Sequence, residues 1–356
     1  SLLSLFLDIE SKKNVSIFDI SLGAKSWILK ENNQKILYVT ESFDTQNKLK
    51  NQLTSFGKRV ELINSIDYDL KVSAYKNDES QKKLIASLCK IALGKVDAVI
   101  VSPKILLAKL PTLENLKKHI LNFEVGKEYD IKDITNLLLS SCYKKVEMAE
   151  NEGEFAVRGD IIDVFSLGES LPYRLEFFGD ELESISSYNL QNYSKIENFD
   201  NVSIFPSTLC FIENKSQLYL DLDVLSQSAS KKLSSEDLMR LRTNIEGIKF
   251  RLENNSISGL ENFVSPLLNY QDNILSFLPA EYVCVFDDVK QIVDKLNTSH
   301  LEFMQSFSLL YKSGDAFEKH KGLIFEPSKV FFSKHQKISF QNINTSNKIF
   351  SPDKVY

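Results

Sequence analysis

The chain has 356 residues, 43% of them hydrophobic and 26% charged, with a formal net charge of −5. That length exceeds one typical domain and predicts two or three globular units with real cores. The acidic balance argues against a protein whose main work is neutralising phosphates, and so favours protein partners over nucleic acid.

Residues 15–110 alternate short apolar strands with amphipathic helices, an α/β rhythm. A strand is expected at 15–20, a helix at about 24–30 and a strand at 35–40. Leu49, Leu53 and Phe56 mark the inner face of the next helix at i, i+4 and i+7, and Leu84, Ile85, Leu88, Ile91 and Ala92 form a broader stripe on a later one. A strand at 98–102 leads into Pro103, suited to a first helical turn. Beyond Leu110 the pattern becomes α+β: one helix marked by Ile131, Ile134, Leu137 and Leu138, then several strands with Gly or polar turns up to Pro206. Helices return from Ser207, and Ser234 with Asp237 forms a capping arrangement for a helix carrying Leu238, Leu241, Ile245, Ile248 and Leu252. An apolar strand at 282–286 needs a sheet to join, and the N-terminal α/β segment supplies one. The expected fold class is therefore α/β, in two chain segments around an inserted α+β domain.

Cys89, Cys142, Cys210 and Cys284 are dispersed, mostly beside apolar runs, with no C-x-x-C or Cys/His spacing for zinc. They read as reduced residues. His119, His300, His320 and His335 stand singly and read as surface or structural side chains. No apolar run approaches the length of a membrane span and the first residues lack a signal-peptide charge pattern, so a cytoplasmic protein is expected.

A phosphate-binding loop needs G-x-x-x-x-G-K-[ST] after a strand, because glycines admit the backbone to the phosphates while Lys and Ser/Thr serve phosphate and magnesium. DISLGAKS at 19–26 sits at such a place and keeps Lys25 and Ser26, but Asp19 and Ala24 replace the two glycines. The acidic partner motif after the strand at 282–286 holds Asp287 and Asp288, with Asp288 at the expected Glu and Lys290 at the last position. Both motifs are degenerate, so no catalytic residue, no metal site and no cofactor are expected. DESQ at 78–81 lies in a polar run and reads as a helix start.

The segment 153–185, GEFAVRGDIIDVFSLGESLPYRLEFFGDELESI, combines a strong β pattern with polar residues that packing does not require. At period two, Tyr173, Leu175 and Phe177 share a core face, while Arg174, Glu176 and Phe178 share the other. The same alternation turns Arg158 outward, beside Gly159 and Asp160, where it is expected to stand free. Arginines and aromatics on a sheet face suit a protein interface. The pattern fits equally an exposed strand face with a cross-strand Arg/Glu pair and one exposed Phe.

The order GEFAVRGDIIDVF, a short loop, LPYRLEFFGDELESI and then IFP at 204–206 resembles the UvrB-homology region of the bacterial transcription-repair coupling factor family (Mfd). UvrB itself shares the RGD-I-D-F core and the R-x-E-FFGDE hairpin, but the SLGESLPYR connector is more similar to the coupling factor. The resemblance implies a degenerate RecA-like domain in two segments, 1–105 and 207–343, around an inserted α+β UvrA-binding domain at 106–206, with 344–356 a linker toward the next domain. It implies a catalytically inactive adaptor, a monomer, that binds UvrA and recruits nucleotide excision repair to stalled RNA polymerase. Arg158, Arg174 and Phe178 match family positions implicated in that contact, and Glu176 matches an acidic position of the related UvrB interface. RNA polymerase and DNA would be engaged through domains outside this chain, as would the ATP and Mg of an ATP-dependent translocase, and the UvrA-binding face would be open without the family's masking C-terminal domain. The rival readings are a UvrB-like ATPase or helicase, which needs intact nucleotide motifs, and a damage-binding module, which needs a basic face; no long hairpin of interleaved aromatic and basic residues is present.

Overall fold

Apolar runs and i, i+4 stripes build the first hundred residues as alternating strands and helices: β1 (Asn14–Phe18), α1 (Leu22–Glu31), β2 (Lys35–Val39), α2 (Phe43–Ser55), β3 (Val60–Ile63), α3 (Glu79–Ala92) and β4 (Ala98–Val101). A 3-10 turn at Pro103–Leu107 opens the path to α4 (Leu113–Lys118), β5 (Leu121–Glu124) and α5 (Ile131–Ser140). Then come β6 (Lys144–Lys145), β7 (Glu154–Arg158), β8 (Ile161–Phe165), β9 (Tyr173–Phe178), β10 (Glu181–Tyr188), β11 (Lys195–Phe199) and β12 (Asn201–Ile204). The last part holds α6 (Lys215–Ala229), α7 (Ser235–Glu253), α8 (Glu261–Val264), α9 (Ile274–Phe277), β13 (Tyr282–Asp287), α10 (Val289–Lys312) and β14 (Lys337–Gln341). This computed structural model describes residues 14–18, 20–31, 34–63, 70, 79–254, 261–331 and 333–341; Asp19, Asp78 and residues 344–356 lie outside them.

The fold is mixed α/β with a parallel sheet at its base. Six strands in the order β1-β14-β13-β2-β4-β3 pair in parallel throughout, so strands from 14–101 share one sheet with strands from 282–341. Leu37, Val39, Val99, Val101, Cys284 and Phe286 face a core completed by α3 and α10. Their neighbours Ile36, Tyr38, Ala98, Ile100, Val283 and Val285 face α1 and α2 on the other side. Because both faces are covered, these strands read as unbroken apolar runs instead of alternating ones. On α2, Leu49 and Leu53 are buried, but Phe56 is exposed: the helix ends at Ser55, Phe56 is its C-cap, and the ring lies beneath Lys30 at 5.2 Å.

A second six-stranded sheet runs β11-β10-β9-β8-β7-β6, antiparallel except for β6, which lies parallel to β7. One face is closed by Ile134 and Leu138 of α5 over Phe155, Ile162, Val164, Tyr173, Leu175 and Phe177. Leu137 is exposed, so the helical stripe is narrower than its sequence suggested. This sheet is seated on α3. Leu167 and Phe205 belong to the same core as Leu84 and Leu88, and Lys82 Nζ donates to the Glu152 carbonyl at 2.8 Å. Gly168 has φ +74, and a Cβ there would meet the Ala86 Cβ at 2.8 Å, so the loop approaches the helix as closely as backbone allows.

In the helical segment Ser234 caps α7 by accepting from Asp237 N, and Leu241, Ile245, Ile248 and Leu252 pack against Leu218, Leu222 and Leu225 of α6. Nearby His320 is fully buried: Phe317 N donates to its Nδ1 at 3.1 Å, which leaves Nε2–H to donate to the Phe263 carbonyl at 3.2 Å. Burial pushes its pKa down from 6.5 to about 3. The unfolded chain therefore binds a proton between those values that the folded chain excludes, and stability present above pH 6.5 drains away as pH falls toward about 3. Acid titration of the unfolding free energy is expected to lose this slope in His320→Gln.

None of the four cysteines forms a disulfide; Cys89, Cys210 and Cys284 are buried and Cys142 is partly so. Burial raises the Cys210 and Cys284 thiols to about 12, so both stay protonated and inert. No helix among the described residues is long and apolar enough to cross a membrane.

Candidate functional site

The outer face of the antiparallel sheet gathers the polar residues that its strand pattern singled out. On β9, Tyr173, Leu175 and Phe177 are buried while Arg174 and Glu176 are half-buried and Phe178 is 75% exposed. Phe178 ends its strand at a turn through Gly179, whose φ of +62 suits glycine. Exposure of so large a ring at a strand end leaves apolar area available to a partner.

Asp163 organises the rest. It lies on β8 directly across from Arg174, and its side chain is 2% exposed. Arg174 Nε donates to Asp163 Oδ1 at 2.7 Å and its Nη2 donates to Oδ2 at 3.0 Å, a bidentate pair that raises the guanidinium pKa. The same guanidinium stacks on the Tyr188 ring, 4.7 Å from its centroid. Arg158 also donates through Nη2 to Asp163 Oδ2. The expectation that Arg158 stands free is thus corrected: its side chain is 45% exposed but tethered at its tip. A carboxylate buried in the apolar run IIDVF requires such partners, because an unpaired buried charge costs several kcal/mol.

Glu176 is not Arg174's partner. Its Oε2 accepts from Lys195 Nζ at 2.7 Å and from Ser184 Oγ, and these bonds, Lys195 first, hold its pKa below the usual carboxylate value. Asp163, Tyr188, Ser184 and Lys195 were given no role in the sequence reading, although Asp163 and Ser184 lie in the stretch 153–185. Asp163 had a signal, a lone acid inside an apolar strand. Lys195 had none, being 19 residues away from its partner on a strand with no motif.

Of the residues read in the sequence as degenerate nucleotide motifs, Lys25 and Asp287 meet at the end of the parallel sheet. Lys25 Nζ donates to Asp287 Oδ1 at 2.7 Å, with both side chains largely buried. Tyr38 OH donates to the other oxygen, Oδ2, at 2.6 Å, and the Lys25 ammonium lies 5.3 Å from the centre of the Phe340 ring. Burial and then the Asp287 charge raise the Tyr38 phenol well above its ordinary pKa, so it remains a donor. Ser26 Oγ is buried and donates to the Leu22 and Gly23 carbonyls, while Ser21 Oγ accepts from Ala24 N. Asp288, at φ +60, is the N-cap of α10 and accepts from Gln291 N and Nε2. The cation, acid and hydroxyl that a phosphate and its metal would need are therefore bonded to one another or to the backbone. Asp19 lies outside the described residues.

Residues 121–209 match the family model described as UvrB interaction domain. The chain is 24% identical over 314 residues to the transcription-repair-coupling factor of Staphylococcus aureus (strain USA300), covering 85% of this chain and 27% of that protein. It is 23% identical over 332 residues to the transcription-repair-coupling factor of Bacillus subtilis (strain 168), covering 91% of this chain and 27% of that protein. The chain thus spans about a quarter of the length of the curated relatives it matches. Arg158, Arg174, Glu176 and Phe178 all fall inside the matched interval, as do Asp163 and Lys195.

Proposed function

We propose that the chain is the UvrB-homology module of a transcription-repair coupling factor, and that the outer face of β7–β10 docks UvrA to recruit nucleotide excision repair to stalled RNA polymerase. The observation that carries this reading is the match of 121–209 to the UvrB interaction domain, an interval that holds the arginine pair, Glu176 and the exposed Phe178 on one sheet face. Arg158 and Arg174 would meet carboxylates of UvrA, and Phe178 would fill an apolar recess. In this reading 1–105 and 207–343 form a degenerate RecA-like domain, 106–206 the inserted docking domain and 344–356 a linker. The shared parallel sheet supports that division. The module acts as a cytoplasmic monomer without cofactors; RNA polymerase, DNA and the translocating ATPase activity belong to further domains of the coupling factor. Calorimetric titration of UvrA against the chain tests the docking.

The module is proposed to be catalytically inactive, because Lys25, Ser26, Asp287 and Asp288 are each already engaged within the protein. Binding of a ligand to the folded state alone raises the melting temperature. Millimolar Mg-ATP is expected to leave Tm within about 1 °C of its value without nucleotide. A concentration-dependent rise would restore the ATPase reading and leave the docking face untouched.

A further inference from the structure

We propose that Lys195 is a further contact residue of the docking face, the cation that leaves its bonded cluster one positive charge in excess toward an acidic patch on the partner, with Glu176 positioning it. The inference rests on the docking reading above and extends it to a residue on a strand without a motif.

Charge within the bonded cluster carries the argument. Arg158 and Arg174 are opposed by Asp163 and Glu176, which alone would sum to zero; Lys195 makes three cations against two carboxylates. The cations are also unequally presented. Arg174 spends its fork on Asp163 and is 16% exposed, whereas Lys195 is 48% exposed, about as open as Arg158. An ammonium has three N–H donors, and the bond to Glu176 uses one.

Backbone geometry puts Lys195 there. Ile185, Ser186 and Ser187 of β10 pair with Phe199, Asn198 and Glu197 in regular antiparallel steps, which would next set Ile196 opposite Tyr188. A bulge between Ser187 and Tyr188 sets Lys195 opposite Tyr188 instead. Such an extra residue exchanges the two faces of a strand, so Lys195 joins Tyr188, Arg174 and Glu176 on the outer face. The pairing lowers the pKa of Glu176, so the carboxylate stays ionised and holds the ammonium at the surface.

The test is titration of UvrA against the full chain and its Lys195→Ala, Lys195→Glu, Glu176→Gln and Arg158→Ala variants, at low and moderate salt, with thermal unfolding of each. Lys195→Glu is expected to lower affinity about tenfold and Lys195→Ala about threefold, each with a shallower salt dependence and unchanged Tm. Glu176→Gln, which keeps the Lys195 charge, is expected to cost less than Lys195→Glu. Unchanged affinity in both Lys195 variants, with a loss in Arg158→Ala, would overturn the proposal and leave the docking reading standing. A Lys195→Ala loss with unaltered salt dependence would also overturn it, assigning the contact to Glu176. If the Lys195 variants and Arg158→Ala all bind UvrA as the parent does, the docking reading falls and the proposal with it.

Discussion

Phe178→Ala and Arg158→Ala, made singly, are each expected to weaken binding of UvrA by about 1–3 kcal/mol, or roughly 5- to 150-fold in Kd, with no loss of fold. Phe178 contributes nothing to the core that its neighbours Leu175 and Phe177 build, since its ring is 75% exposed. Truncating it removes contact area from the bound state alone, which separates binding from stability. Arg158 is tethered to Asp163 at its tip but nearly half exposed, so its remaining donors can reach a carboxylate across the interface. Phe178→Ala should melt with the parent, and Arg158→Ala, which leaves Asp163 its bidentate pair with Arg174, should stay folded with a smaller loss of Tm than Asp163→Ala. Two variants that bind UvrA as tightly as the parent would remove this face from the interface.

Asp163→Ala is expected to destabilise the chain by about 3 kcal/mol, because removing one member of a buried ion pair strands the other. Arg174 is 16% exposed and covered by Tyr188, so it cannot regain water without disturbing the β9–β10 pairing. Replacing the pair together, Asp163→Leu with Arg174→Met, should recover much of that loss, since well-packed apolar residues commonly substitute for a buried ion pair at little cost. The denaturant midpoint reads both. Equal stability of Asp163→Ala and the parent would mean that the pair adds nothing to the fold and only arranges the face.

The strand pattern made much of this face legible. Period two separated Leu175 and Phe177 from Arg174 and Phe178 because β9 is regular along that stretch, and regular strands obey the alternation without exception. Lys195 could not be found in that way, since a bulge resets the alternation and only the pairing with β10 reveals it. Asp163 could have been found, as the one acid in an apolar strand always has a partner somewhere. At Phe56 and Leu137 the helical spacing misled, because it reports the angle around a helix but neither where the helix stops nor how wide its covering is. Strand β14 escaped notice for a related reason: Ile338 and Phe340 alternate with polar residues, and Ser339 is accommodated in the sheet by a hydrogen bond to Ser16 Oγ at 2.9 Å. The strand at 282–286 was legible because a run of that apolarity has nowhere else to go.

The close seat of Gly168 on Ala86, with Lys82 holding the Glu152 carbonyl, concerns more than packing. A recognition surface hung on a loose tether samples many orientations, and each must be surrendered when a partner arrives, at a cost of several kcal/mol. Here the angle between the antiparallel sheet and α3 is settled during folding, so little rotational freedom is left to lose on contact. The face is aimed before it meets anything. If the proposed docking holds, the parallel-sheet layer decides the direction from which the partner approaches, because a turn of that layer would swing Phe178 and Arg158 together.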